Sequence, residues 1–154
     1  MKKIKCIIFD LDGTLIDSGP DLLDSLNYVL KKQRFPEIRQ KILGNLVGGG
    51  AKAMIIKGYN HLKKEVIEEE LPNLIKIFLD YYFENCTKKT LLYKGVFKTL
   101  KKVKGKGYKL ALCTNKKQHL TEKITKELGI HGFFDFIRGS SSHLSLKPET
   151  DMLK

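Results

Sequence analysis

The 154-residue chain has no tryptophan, four prolines, three cysteines and arginine at Arg34, Arg39 and Arg138 alone. It also lacks any continuous apolar run of the ~20 residues that a membrane-spanning helix needs, and its N-terminal apolar run stops at Asp10, too short for a signal-peptide core. A cytoplasmic protein with no membrane partner is therefore expected. Cys6, Cys86 and Cys113 are odd in number, far apart and never in CxxC spacing, which argues against a disulfide framework and for buried free thiols in a reducing compartment. His61, His119, His131 and His143 never stand within three to five residues of a second His or Cys, so a zinc site is not expected and they read as surface or core-edge residues. The scarcity of arginine matters because the formal net charge is +12. That charge is carried by lysine in scattered pairs such as Lys31-Lys32, Lys63-Lys64, Lys88-Lys89, Lys101-Lys102 and Lys116-Lys117, whereas base readout favours Arg, Asn and Gln clustered on one element. No specific nucleic-acid partner is expected; a solvated lysine-rich surface that attracts small phosphorylated anions is.

What is present suits a soluble α/β domain: 42% apolar and 30% charged residues support a buried core, and the length allows one domain or a small domain with an insertion. Residues 4–9, with the β-branched Ile4, Ile7 and Ile8, read as a buried parallel strand that delivers Asp10 to its carboxyl end, where open α/β sheets gather ligands. A helix follows from Pro20 through Leu30. A second amphipathic set, Ile38, Ile42, Leu43, Leu46 and Val47, predicts a helix ending at Gly48-Gly49-Gly50, and a third runs from there to about Tyr59. Val66, Ile67 and Leu71 begin another helical pattern that Pro72 should break or restart before it continues to Phe83. Residues 16–92 thus read as all helical. Beyond them come a helix at Val96, Leu100 and Val103, a strand over 108–113, a helix at Leu120, Ile124 and Leu128 closed by Gly129, and a strand over 133–137.

Asp10-Leu11-Asp12-Gly13-Thr14, set after Ile7-Ile8-Phe9 and continuing through Leu15-Ile16-Asp17-Ser18, resembles the first signature motif of the haloacid-dehalogenase superfamily. The resemblance implies that Asp10 attacks phosphorus to form an aspartyl-phosphate, while Asp12 protonates the leaving oxygen and later activates water. Physical chemistry supports these roles separately: carboxylates at i and i+2 across a turn, which Gly13 permits, can face one substrate atom from different environments. A carboxylate approaching a phosphate dianion meets repulsion of roughly 4 kcal/mol per unit charge pair at 4 Å and an effective dielectric near 20, so the site needs a cation and a lysine. Leu110-Ala111-Leu112-Cys113-Thr114-Asn115-Lys116 resembles the second motif, with the Thr114 hydroxyl on the transferred phosphoryl group and Asn115 in support; taken alone, a threonine after a strand is more often a helix N-cap. Lys147-Pro148 resembles the third motif, a lysine that neutralises the aspartyl-phosphate, although Thr150 stands where the family often has a second proline.

The implied fold is a Rossmann-like parallel α/β core of residues 1–15 and 93–154 with an α-helical cap, 16–92, inserted after the first strand. Within the cap, Asp17-Ser18-Gly19-Pro20-Asp21-Leu22 and Val47-Gly48-Gly49-Gly50 are similar to the phosphoglycolate phosphatase group, which has an arginine where this chain has Gly44. Gly13, Thr14, Asn115, Gly48, Gly49 and Gly50 are the further substrate-binding positions this implies. Magnesium would be held by the Asp10 side chain, the Asp12 backbone carbonyl and an acid of the fourth motif. That motif is absent, since only Glu149 and Asp151 follow Lys147. The core is therefore expected to be incomplete, with its first strand left as an exposed apolar edge open to self-association. The reading is a magnesium-dependent phosphatase of a small phosphorylated metabolite, 2-phosphoglycolate above all. Alternatives are a catalytically impaired fragment that binds phosphate or a partner, and a pyrophosphatase or sugar-phosphate mutase of the same fold.

Overall fold

Leu110, Leu112 and Thr114 are all buried and fall at every second position, the mark of a strand with one face in the core. In the computed structural model, which describes residues 5–141 and 145–150, they belong to the central strand of a three-stranded parallel sheet. Ile4, His143 and Asp151 lie outside the described residues. The chain divides into two compact units, one of residues 1–17 and 91–154 and one of residues 18–90.

The first unit carries the sheet. Strand β1 (Cys6–Phe9) pairs in parallel with β4 (Lys109–Lys117), in the register Ile7 to Leu110 and Phe9 to Leu112, and β4 pairs in parallel with β5 (Phe136–Ser140). Helix α5 (Val96–Gly105) precedes β4, and α6 (Gln118–Glu127) follows it and packs on β4 and β5 through the buried Leu120, Thr121, Ile124 and Thr125. A two-stranded antiparallel ribbon, β2 (Ile16–Asp17) with β3 (Leu91–Leu92), also belongs here, so the division falls two residues inside the expected 16–92 at each end. These four residues are strand, not helix, because each pairs with the other arm of the insertion, a long-range contact that no local periodicity reveals.

Strand β1 is parallel as expected but not buried. Ile8 is 52% exposed and Cys6 is exposed too, because β4 is its only neighbour among the described residues and the face that carries Ile8, Ala111 and Phe136 is uncovered. Cys86 and Cys113 are the buried thiols. Among the described residues no helix is long and apolar enough to cross a membrane.

The second unit is helical, built from α1 (Gly19–Lys32), α2 (Leu43–Leu46), α3 (Gly50–His61) and α4 (Leu71–Asn85). Leu26, Val29 and Leu30 of α1 and Leu74, Phe78 and Tyr82 of α4 fill its interior, and Tyr28 stacks on Tyr81 at a centroid distance of 4.2 Å. The helix read over 38–47 is reduced to a 3-10 turn (Gln40–Ile42) and the one-turn α2. Its first apolar residue is held extended instead: the Asn27 amide accepts the Ile38 N–H at 2.8 Å and donates to the Ile38 carbonyl at 3.0 Å, which satisfies the groups a helix would use. Pro72 does not interrupt a helix; it sits in the first turn of α4, where its missing N–H costs nothing.

Candidate active site

Five backbone-fixed residues at the end of β1 set the geometry of the carboxylates. Leu11 is fully buried, and its carbonyl accepts the N–H groups of Thr14, Leu15 and Ile16 at 3.2, 2.9 and 3.2 Å. With Leu11 anchored inward, Asp10 and Asp12 on either side of it remain partly exposed, at 43% and 32% of their side chains. Gly13 adopts φ +75° while its N–H donates to the Ile16 carbonyl at 3.0 Å; a side chain in that left-handed region costs ~1–2 kcal/mol. Gly13 and Thr14 are exposed in this turn.

Lys147 is the residue that ties the strand ends together. Its Nζ stands 3.0 Å from Asp10 Oδ1 and donates to the Cys113 carbonyl at 2.8 Å, so one ammonium bridges the ends of β1 and β4. Asp10 Oδ1 also accepts the Leu11 N–H at 2.8 Å, and among the described residues neither contact uses Oδ2. Thr114, the residue after Cys113, is 2% exposed, and its Oγ1 accepts the Lys116 N–H at 3.2 Å. It is not the N-cap of the following helix: β4 runs on to Lys117, and α6 begins only at Gln118. Asn115 faces Lys147 with both ends of its amide.

Lys116 escaped the reading of the sequence. Its Nζ lies 3.2 Å from Asp12 Oδ1, with 7% of its side chain exposed. Lys116 follows Thr114 by two residues, the interval that separates Leu110, Leu112 and Thr114, but the pairing of β4 with β5 shifts register between Cys113 and Lys117, so the spacing alone does not place its side chain.

The structure therefore gathers Asp10, Asp12, Lys116 and Lys147 with the end of β4 that carries Thr114 and Asn115. Gly48, Gly49 and Gly50 belong to the helical unit, at the start of α3, where Gly49 is the N-cap at φ +80°. Among the described residues no group of three or more His, Cys, Asp or Glu could enclose a metal ion. A carboxylate such as that of Asp10 is the kind of oxygen ligand a hard cation takes, and with the Asp12 backbone carbonyl it would supply part of such an ion's coordination sphere.

A family model described as haloacid dehalogenase-like hydrolase matches residues 7–154. A phosphoglycolate phosphatase of Mesorhizobium japonicum is 36% identical over 143 residues, covering 93% of this chain and 63% of that protein. One of Aquifex aeolicus is 36% identical over 152 residues, covering 98% of this chain and 68% of that protein. The crystal structure of a predicted phosphoglycolate phosphatase from Haemophilus somnus superposes with a TM-score of 0.85 at 34% identity, over 97% of this chain and 68% of that one. The chain thus spans about two thirds of the length of these relatives.

Proposed function

The chain belongs to the haloacid dehalogenase-like hydrolase family, and from that premise we propose that it forms the catalytic part of a magnesium-dependent phosphatase acting on a small phosphorylated metabolite, with 2-phosphoglycolate as the preferred substrate. The observation that carries the reading is the single ammonium of Lys147 placed 3.0 Å from Asp10 Oδ1 at the carboxyl ends of two parallel strands. A lysine in that position offsets the repulsion between a carboxylate nucleophile and an incoming phosphate dianion. The phosphoglycolate assignment draws on the named relatives, whose match covers 93% and 98% of the chain.

In the first half of the reaction, Asp10 Oδ2 attacks phosphorus, the ester P–O bond breaks, and Asp12 gives its proton to the leaving oxygen. The product of that half is an aspartyl-phosphate on Asp10. In the second half, Asp12 takes a proton from water as the water oxygen attacks phosphorus; the bond to Asp10 breaks and orthophosphate leaves, with Asp10 again a carboxylate and Asp12 again protonated. Lys147 stays beside Asp10 throughout and balances charge on the acyl-phosphate oxygen, while the Thr114 hydroxyl orients the phosphoryl group. The Asp10 side chain and the Asp12 carbonyl would hold magnesium, whose chemistry is to neutralise phosphoryl oxygens.

The test is orthophosphate release across a panel of phosphorylated metabolites, with and without magnesium, for the protein and its Asp10→Asn variant. Magnesium-dependent turnover of phosphoglycolate, lost in Asp10→Asn, is expected. Turnover that survives Asp10→Asn overturns the mechanism.

A further inference from the structure

The lysine beside the nucleophile rides on residues 145–150, which form no strand or α-helix and whose one internal backbone bond among the described residues is the turn from Glu149 N–H to the Leu146 carbonyl at 3.0 Å. A four-carbon side chain on such a loop loses rotamer freedom when its ammonium is fixed, and an anchor for the backbone beneath it reduces what must be ordered during reaction. The Asn115 side chain is that anchor. Its Oδ1 accepts the Lys147 N–H at 2.7 Å and its Nδ2 donates to the Lys147 carbonyl at 3.1 Å, a two-point clamp across 32 residues of sequence. From the clamped backbone the Lys147 side chain returns to β4, donating to the carbonyl of Cys113, two residues before Asn115, and reaches Asp10. A closed ring results: Asn115 amide, Lys147 backbone, Lys147 ammonium, Cys113 carbonyl and the strand between.

We infer that Asn115 is a positioning residue that sets Lys147 against Asp10, and not a ligand of the substrate phosphate. This inference rests on the phosphatase reading above. An amide is the side chain this clamp requires, because it alone offers a donor and an acceptor in one plane at this reach; aspartate keeps the acceptor but loses the donor, and serine cannot reach both groups. The chain uses the same device elsewhere, with Asn27 on Ile38 and with Gln118, which accepts the Gly139 N–H and donates to the Ile137 carbonyl at 3.3 Å. Those two clamps hold backbone whose side chains carry no chemistry. At position 115 the clamped residue carries the site's ammonium, so the same bonds act on rate.

The experiment combines hydrogen exchange and a double-mutant cycle in the protein, using phosphoglycolate as the assayed ester. In Asn115→Ala, the Lys147 amide should lose its exchange protection, kcat should fall by ~10–100-fold, the scale of a misplacement near 1 Å, and KM should stay within about twofold. Asn115→Ala added to Lys147→Ala should cost little more than Lys147→Ala alone, since the clamp acts through that lysine. Asn115→Asp should fall between wild type and alanine. Unchanged protection at residue 147, a raised KM at constant kcat, or full additivity with Lys147→Ala each overturns the inference while leaving the phosphatase reading intact. Turnover indifferent to Asp10→Asn instead removes the phosphatase reading, and the inference falls with it.

Discussion

Lys116 Nζ lies 3.2 Å from Asp12 Oδ1 with 7% of its side chain exposed, so the second carboxylate of the site is held by a lysine taken almost completely out of water. Removing Asp12 leaves the Lys116 ammonium with its desolvation cost and without the compensating charge. Asp12→Ala should therefore lower stability by ~1–3 kcal/mol in addition to stopping turnover. Lys116→Met in the Asp12→Ala background should restore much of that loss, as urea denaturation of the single and double variants will read. A double variant no more stable than Asp12→Ala would mean that the pair contributes nothing to folding.

Why some of this was legible in the sequence and some was not follows from the range of the interactions. Strand β1 and the turn after it are local: β-branched residues, a buried Leu11 and a glycine at positive φ are enough to present Asp10 and Asp12 together. Helices α1 and α6 follow their apolar spacing in the same way. The segment around Ile38 departs from its helical pattern because a side chain eleven residues away, Asn27, captures its backbone. The burial expected of Ile8 failed for a related reason, since a strand's burial depends on neighbours that its own sequence does not contain. The bond between Asn115 and Lys147 is not legible either, because the two lie 32 residues apart and no motif couples their side chains.

Asp21 and Thr90 close the helical unit at its two ends. The Asp21 carboxylate, 1% exposed, accepts the Thr90 hydroxyl at 2.7 Å, the Thr90 N–H at 2.8 Å and the Lys89 N–H at 3.0 Å. Asp21→Ala strands donors in the interior, and a loss on the order of 3 kcal/mol is expected by chemical denaturation. Proteolysis under native conditions should then cut first near residues 86–92. An Asp21→Ala protein as stable as wild type would show that water replaces the carboxylate at no cost.

Tyr59 presents the opposite case. Its hydroxyl is buried and has no hydrogen-bond partner among the described residues, and burial, followed by the charge of Glu70, raises its pKa above that of a free tyrosine. A buried hydroxyl that makes no bond costs ~1–3 kcal/mol, and the ring packs edge-on against Phe35 whether or not the oxygen is there. Tyr59→Phe should leave the melting temperature unchanged or raise it by a few degrees. A clear fall would reveal a partner for the hydroxyl.

Asp135 makes the folded chain sensitive to acid. Hydrogen bonds from Lys104, the Leu110 N–H and Lys109 hold its carboxyl well below the ordinary carboxylate range. A carboxylate whose folded pKa is depressed contributes stability above its unfolded pKa, near 4, and that contribution is lost as pH falls from there toward the folded value. Asp135→Asn should thus melt below wild type at pH 7, and the gap should narrow steadily between about pH 4 and pH 2. Thermal melts at several pH values decide it; a gap that stays constant through that window would assign the loss to packing instead of charge.

The open side of the sheet leads to association. Ile8 pairs in register with Ala111 and Ala111 with Phe136, which puts the three side chains in one row across β1, β4 and β5; Ile8 is 52% exposed and Phe136 71%. Strand β1 at the same time offers backbone N–H and C=O groups along a side with no neighbouring strand among the described residues. An apolar row ending at an unpaired parallel edge is a surface that a second copy of the chain can cover, and the lysine-rich remainder of the surface opposes but does not mask it. The 154-residue chain should therefore self-associate with rising concentration in sedimentation velocity at moderate salt. Phe136→Lys, which places a charge in the exposed row, should shift the distribution toward monomer, while Leu91→Lys, at an exposed apolar residue on the separate ribbon, should not. Equal dispersal by both substitutions would make net charge the cause, and a wild-type chain monomeric at ~100 μM would show that this edge is guarded by other means.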